Sequence, residues 1–125
     1  MATRNEVDNF LGRFRTGVEL RGKAQWKSEK NRQSLEDLGQ TESSATIIIV
    51  RELGPDNYVK GPDPDELEPA REVWVFGHRI KGVEVYIKVC MDERGGRRVP
   101  IVWSFHKAEG PLTYPLTKPT SKGGA

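Results

Sequence analysis

Apolar residues in "EVDNFLGRFRTGVEL" fall at positions 7, 10, 11, 14, 18 and 20, close to the i, i+3, i+4, i+7 spacing of an amphipathic helix. A second helix is expected over "SEKNRQSLEDLGQ", with Ser28 as N-cap and Gly39 as its stop. A third is expected over "ESSATIIIVRELG", capped by Thr41 and closed by Gly54-Pro55. Its β-branched run Ile47–Val50 would also suit a strand, but the cap and the stop lie at helical length and favour the helix. From Pro55 the pattern dissolves. "GPDNYVKGPDPDELEPA", with its four prolines, reads as a long, partly ordered loop holding one short strand at Tyr58-Val59-Lys60.

Three strands follow with period-two alternation: "EVWVFGHRI", "VEVYIKVCM" after a Lys81-Gly82 turn, and "VPIVWSFH" after the turn in "MDERGGRRV". The fold class is therefore α+β. N-terminal helices pack on one face of a small C-terminal antiparallel sheet, in a single domain over residues 1–117, with a disordered tail at 118–125. In the middle strand Val83, Val85, Ile87 and Val89 share one face, and Glu84, Tyr86, Lys88 and Cys90 the other. In the last strand Val99, Ile101, Trp103 and Phe105 alternate with Pro100, Val102, Ser104 and His106. If no bulge intervenes, Tyr86, Lys88, Ser104 and His106 converge on one open surface. The plain alternative is an ordinary wet face. Trp74 and Trp103 are expected in the core, with a base-stacking platform as the alternative for one of them.

Composition narrows the class. With 35% hydrophobic and 30% charged residues over 125 positions, the chain reads as one soluble domain, and no apolar run is long enough to span a membrane. "MATRNEVDNF" lacks the pattern of a secretory leader, and the single Cys90 can close no internal disulfide and build no zinc site, so a reducing cytoplasm is expected. Charge is uneven. Residues 12–32 carry seven Lys and Arg against two acids, residues 36–72 ten acids against three bases, and residues 79–107 seven bases against three acids. Two basic segments brought together would suit phosphate. A mixed, solvated surface is the bland reading of the same counts.

The polar row has the composition of a metal-free ribonuclease site. Such a site needs a group to take the 2′-hydroxyl proton, cations for the charge on phosphorus, and a donor for the departing 5′-oxygen. No carboxylate cluster, His pair or Cys/His set suggests a metal or other cofactor. "GVEVYIKV" and "IVWSFHKAEGPLTYPL" resemble the C-terminal half of the MqsR-like toxins of bacterial toxin–antitoxin modules, in the wider RelE/ParE superfamily. "DNYVKGP" resembles the family segment that places a catalytic lysine, and looser similarity runs over "REVWVFGHRIKG" and "LEDLG".

The resemblance implies a cytoplasmic endoribonuclease that cuts single-stranded mRNA and arrests growth. It further implies a cognate, DNA-binding antitoxin as partner. It makes Tyr86 the tyrosine facing the scissile phosphate and Lys60 the cation beside it. His106 stands where the best-known member has a lysine. The family's glutamine on the preceding strand is missing, since Trp74-Val75-Phe76 occupies that stretch. His78 and Lys88 are therefore additional catalytic candidates, and Arg79, Lys81, Arg97, Arg98 and Lys107 are candidate phosphate contacts. The competing expectation is a homologue that binds RNA or antitoxin without cleaving.

Overall fold

The computed structural model describes residues 1–117; the tail expected to be disordered lies outside the described residues. Three helices, α1 (Arg4–Arg21), α2 (Ser28–Asp37) and α3 (Glu42–Glu52), accompany strands β1 (Gln25–Trp26), β2 (Tyr58–Pro64), β3 (Glu72–Ile80), β4 (Val83–Asp92) and β5 (Val99–Lys107). The strands form one sheet in the order β1-β5-β4-β3-β2. None of the described helices is long and apolar enough to cross a membrane.

Helix α1 starts two residues earlier than its periodicity predicts because Thr3 and Glu6 form a capping box, each side chain meeting the other's backbone N–H. Its Gly17 is a contact point rather than a weakness: a Cβ there would lie 3.0 Å from Pro100 Cδ, so glycine lets the helix approach the sheet. At α2 the N-cap is Lys27, not the expected Ser28, which occupies the first helical position and makes no capping bond. Gly39 does stop the helix: its N–H bonds Glu36 O, and Gln40 N–H bonds Leu35 O, a Schellman-type closure. Thr41 caps α3 through a reciprocal pair with Ser44, and Ile47–Val50 is helical.

Two expectations about the sheet are corrected. The sheet is mixed, because the two-residue β1 pairs parallel with β5 through Gln25–Ile101 and Trp26–Val102. Two residues are too few to show alternation. The short strand expected at Tyr58-Val59-Lys60 is present but runs on to Pro64 as the seven-residue β2, paired with β3 across two register shifts, so less of the segment is loop than expected. Its prolines are tolerated because β2 is an edge strand, where a missing N–H costs no ladder bond.

The helix-side core gathers Phe10, Phe14, Leu35, Ile49, Phe76, Ile87 and their neighbours, with Phe10 stacked on Trp74 at 4.7 Å. A smaller apolar cluster, Val73, Cys90, Val99 and Ile101 with Trp103 against it, lies on the opposite face. That second cluster exists because β5 carries a bulge. Lys88 pairs with Ser104 but Val89 pairs with Val102, leaving Trp103 as the extra residue. The alternation expected for β5 therefore breaks at 103. Phe105 and Val102 join the helix-side core, whereas Val99 and Ile101 face the other way.

Candidate nucleic-acid-processing face

The bulge spares the polar row. On the face turned away from the helices, Tyr86 pairs directly with His106, and Lys88 with Ser104. The Tyr86 and His106 rings stack, with centroids 5.1 Å apart and planes 17° from parallel. His106 Nδ1 lies 2.8 Å from the Lys107 carbonyl. A carbonyl only accepts, so Nδ1 carries a hydrogen and, in the neutral ring, the free lone pair sits on Nε2. Burial raises the Tyr86 phenol above its usual range, and its hydroxyl has no hydrogen-bond partner among the described residues.

Lys60 reaches the same face. It pairs with Val75, which in turn pairs with Lys88, so Lys60, Lys88 and Ser104 lie in one row across four strands. Beside this row is a cleft of about 360 Å³ whose lining includes Lys60, Tyr86, Lys88 and Trp103. A third lysine enters from outside the sheet. Lys30 of α2 lines the cleft and donates to the buried Ser104 hydroxyl at 2.9 Å. Helix α2 is fixed there because Asn31 and Ser34 take up the unpaired edge of β5. Asn31 donates to Trp103 O and accepts from Phe105 N–H, and Ser34 donates to Phe105 O. None of the three lysines forms an ion pair among the described residues.

The opposite wall is acidic, with Asp63, Asp65 and Glu66 lining it. Asp65 is neutralised by Arg71 at 2.9 Å, both side chains being largely buried. The cleft therefore holds three ammonium groups and the two carboxylates of Asp63 and Glu66, none of them in an ion pair among the described residues, a small positive excess with a polar far wall. The segment after β5 crosses the same face of the sheet at Gly77. Tyr114 donates to Glu84 at 2.6 Å, and Leu112 and Tyr114 lie over Gly77, the residue opposite Tyr86. Any Cβ at 77 would sit 2.6 Å from Leu112 Cδ1, so only glycine admits this strap. Burial and the bond to Glu84 push the Tyr114 phenol up to about 12.

The remaining candidates scatter. His78 pairs with Val85 on the helix side, where its ring meets Glu52 at 2.7 Å and Asn57 at 3.2 Å, so the sheet separates it from Tyr86 and His106. Lys107 also pairs with Val85 and shares that side. Arg98 lines a groove against α1 with Asn9 and Gly12, and Arg97 follows the 94–96 turn beside Asp92. Lys81 forms the β3–β4 turn, and Arg79 pairs with Glu84 next to the strap. The glutamine that the resemblance implies has no counterpart: the open-face positions of β3 are Val73, Val75, Gly77 and Arg79.

Sequence reasoning missed Lys30, the acidic wall and the strap. The basic stretch 12–32 contained the signal for Lys30, but nothing in sequence order says that α2 lies along β5. Among the described residues no three His, Cys, Asp or Glu side chains group as a metal-ligand set. Comparison of the chain with protein-family models, with curated proteins and with solved structures found no significant match in any of the three.

Proposed function

We propose that this chain is a metal-independent endoribonuclease that acts on single-stranded RNA, the toxin component of a toxin–antitoxin pair, with a RelE/ParE-like fold. The observation that carries the reading is the stacked Tyr86–His106 pair beside a cleft with three lysines that form no ion pair among the described residues. In this mechanism His106 Nε2 takes the proton from the 2′-hydroxyl, whose oxygen attacks phosphorus. Lys60, Lys88 and Lys30 hold the charge that builds on the phosphoryl oxygens. Tyr86, which burial keeps protonated, donates to the 5′-oxygen as the P–O5′ bond breaks. The products are a 2′,3′-cyclic phosphate and a 5′-hydroxyl. A cognate antitoxin would cover this face and present carboxylates to the lysines.

A second reading keeps RNA binding and drops cleavage. It is favoured by Val75 and Gly77, which on the β3 side put no acid–base group opposite Tyr86 and Lys88. Incubation with a long RNA in EDTA separates the two. The nuclease reading expects cleavage that falls about 100- to 10,000-fold in His106→Ala and about tenfold or more in Tyr86→Phe. Uncleaved RNA, with binding that strengthens as salt is lowered, selects the binder instead. Cleavage undiminished in His106→Ala removes the proposed site.

A further inference from the structure

We propose that Trp103 is the stacking platform for a nucleobase of the same single-stranded RNA whose phosphate lies among the lysines, an inference that rests on the RNA reading above. The bulge is the first observation. As the unpaired extra residue of β5, Trp103 is turned onto the open face instead of into the helix-side core, and its side chain lines the cleft. Bulges interrupt a ladder, and here Asn31 holds the bulged residue from the opposite edge of β5 by donating to the Trp103 carbonyl at 3.0 Å. The irregularity is therefore held in place, not merely tolerated.

The second observation is how the ring is seated. Its indole N–H donates to Cys90 Sγ at 3.0 Å, which fixes the ring against the small cluster of Val73, Cys90, Val99 and Ile101. Trp103 is the one tryptophan left half-buried, Trp26 and Trp74 being 9% and 4% exposed. Two cations accompany it, Lys27 Nζ at 4.5 Å and the Arg71 guanidinium at 5.6 Å from the ring centroid. Arg71 is tied to Asp65, whereas Lys27 is exposed and forms no ion pair among the described residues. An incoming base takes the ring face from Lys27, and the freed ammonium turns to the neighbouring phosphate. A fixed aromatic plane beside cations is the arrangement that binds single strands, because every base has a π-face and every linkage a charge.

Position gives the platform a consequence for specificity. Trp103 lies three residues along β5 from His106 of the Tyr86–His106 pair. That is about 10 Å along the strand, roughly one to two nucleotides of an extended chain. The base stacked there is not the one at the cut. Its removal slows cleavage without altering the chemical groups.

Short single-stranded RNAs with one cleavage site, each carrying one abasic residue at a successive position, test this. For the wild type one abasic position, within about two nucleotides of the cut, is expected to lower kcat/KM about tenfold. In Trp103→Ala that position should lose its effect, whereas Trp103→Phe should retain it. An abasic profile in Trp103→Ala that superimposes on the wild type overturns the proposal. If the wild type cleaves nothing, the nuclease reading fails alone, and stacking is read from binding of the same RNAs. Then one abasic position should weaken binding about tenfold in the wild type but not in Trp103→Ala. RNA should also quench a tryptophan emission that Trp103→Phe lacks. Equal affinity and equal quenching in the variants sink the proposal. Thermal unfolding of Trp103→Phe confirms that the fold is kept.

Discussion

The same four strands present two faces built on opposite principles. On the helix side, Phe76 and Ile87 face each other across β3 and β4 under α1, and both are fully buried. On the open side, one residue along each strand, Gly77 faces Tyr86 and Val75 faces Lys88, with cations and half-exposed rings above them. The first face gains free energy by excluding water. The second forgoes much of that gain to keep a phenol, an imidazole and three ammonium groups together. A stable fold needs only one apolar face of this sheet, so the other face is free to hold groups that contribute little to stability.

Substitution on either side of β3–β4 is the sharpest way to break this contrast. Phe76→Ala removes a ring packed 6.3 Å from Phe10 and 6.4 Å from Tyr58 and should cost about 4 kcal/mol in urea unfolding. Tyr86→Phe, one residue pair away, should stay within about 0.5 kcal/mol of the wild type because its hydroxyl has no partner. Equal losses would mean that the open face is structural.

A smaller effect tests the place where the faces meet. Asn31 is 1% exposed and bridges α2 to Trp103 O and Phe105 N–H, on either side of Ser104. Asn31→Ala leaves both backbone groups without that partner and should cost about 2 kcal/mol. It should also weaken RNA binding, since Lys30 sits on the adjacent position of α2 and loses its aim. If Asn31→Ala destabilises the fold but leaves RNA affinity intact, Lys30 does not depend on this anchor.

The helix-side face was largely legible in the sequence, because periodicity reports burial directly. Val7, Phe10, Leu11 and Phe14 of α1 and Val85, Ile87 and Val89 of β4 are all buried where their spacing places them. Beyond Ser104 the strand alternation failed, since a bulge inserts one residue without any change in composition. Val99 and Ile101 were therefore assigned to the wrong face while Tyr86, Lys88, Ser104 and His106 were correctly grouped. The open face was only half legible. Its β4–β5 groups are hairpin neighbours, but Lys30 comes from a helix 74 residues away from Ser104. Asp63 and Glu66 come from a segment that reads as loop. Contacts of that separation leave no local signature in either period.

The weakest expected effects lie at the two ends of the open side of β4, where one acid at each end is tied to a different partner. Asp92, opposite Val99, accepts from the Arg94 side chain at 3.1 and 3.0 Å and from Arg94 N–H at 3.2 Å. These bonds hold its carboxyl at about 2, below the ordinary 3.8. A lowered folded value means that the charge adds stability above the ordinary value and that this addition is lost as pH falls towards 2. Arg94 is half exposed, so Asp92→Asn should cost only about 1 kcal/mol at neutral pH. That deficit should shrink when unfolding is repeated between pH 4 and pH 2. At the strap, Tyr114 has the opposite sign. Its phenol is raised to about 12, chiefly by burial and then by Glu84, so its contribution holds below its ordinary 10 and fades from there to 12. Tyr114→Phe should remove that alkaline limb together with the acid-side contribution of Glu84, whose carboxyl is lowered chiefly by the Tyr114 bond, and should leave the acid limb of Asp92 unchanged. If Tyr114→Phe changed the deficit of Asp92→Asn between pH 4 and pH 2, the two ends would be coupled along β4, and the open face would respond to pH as one unit.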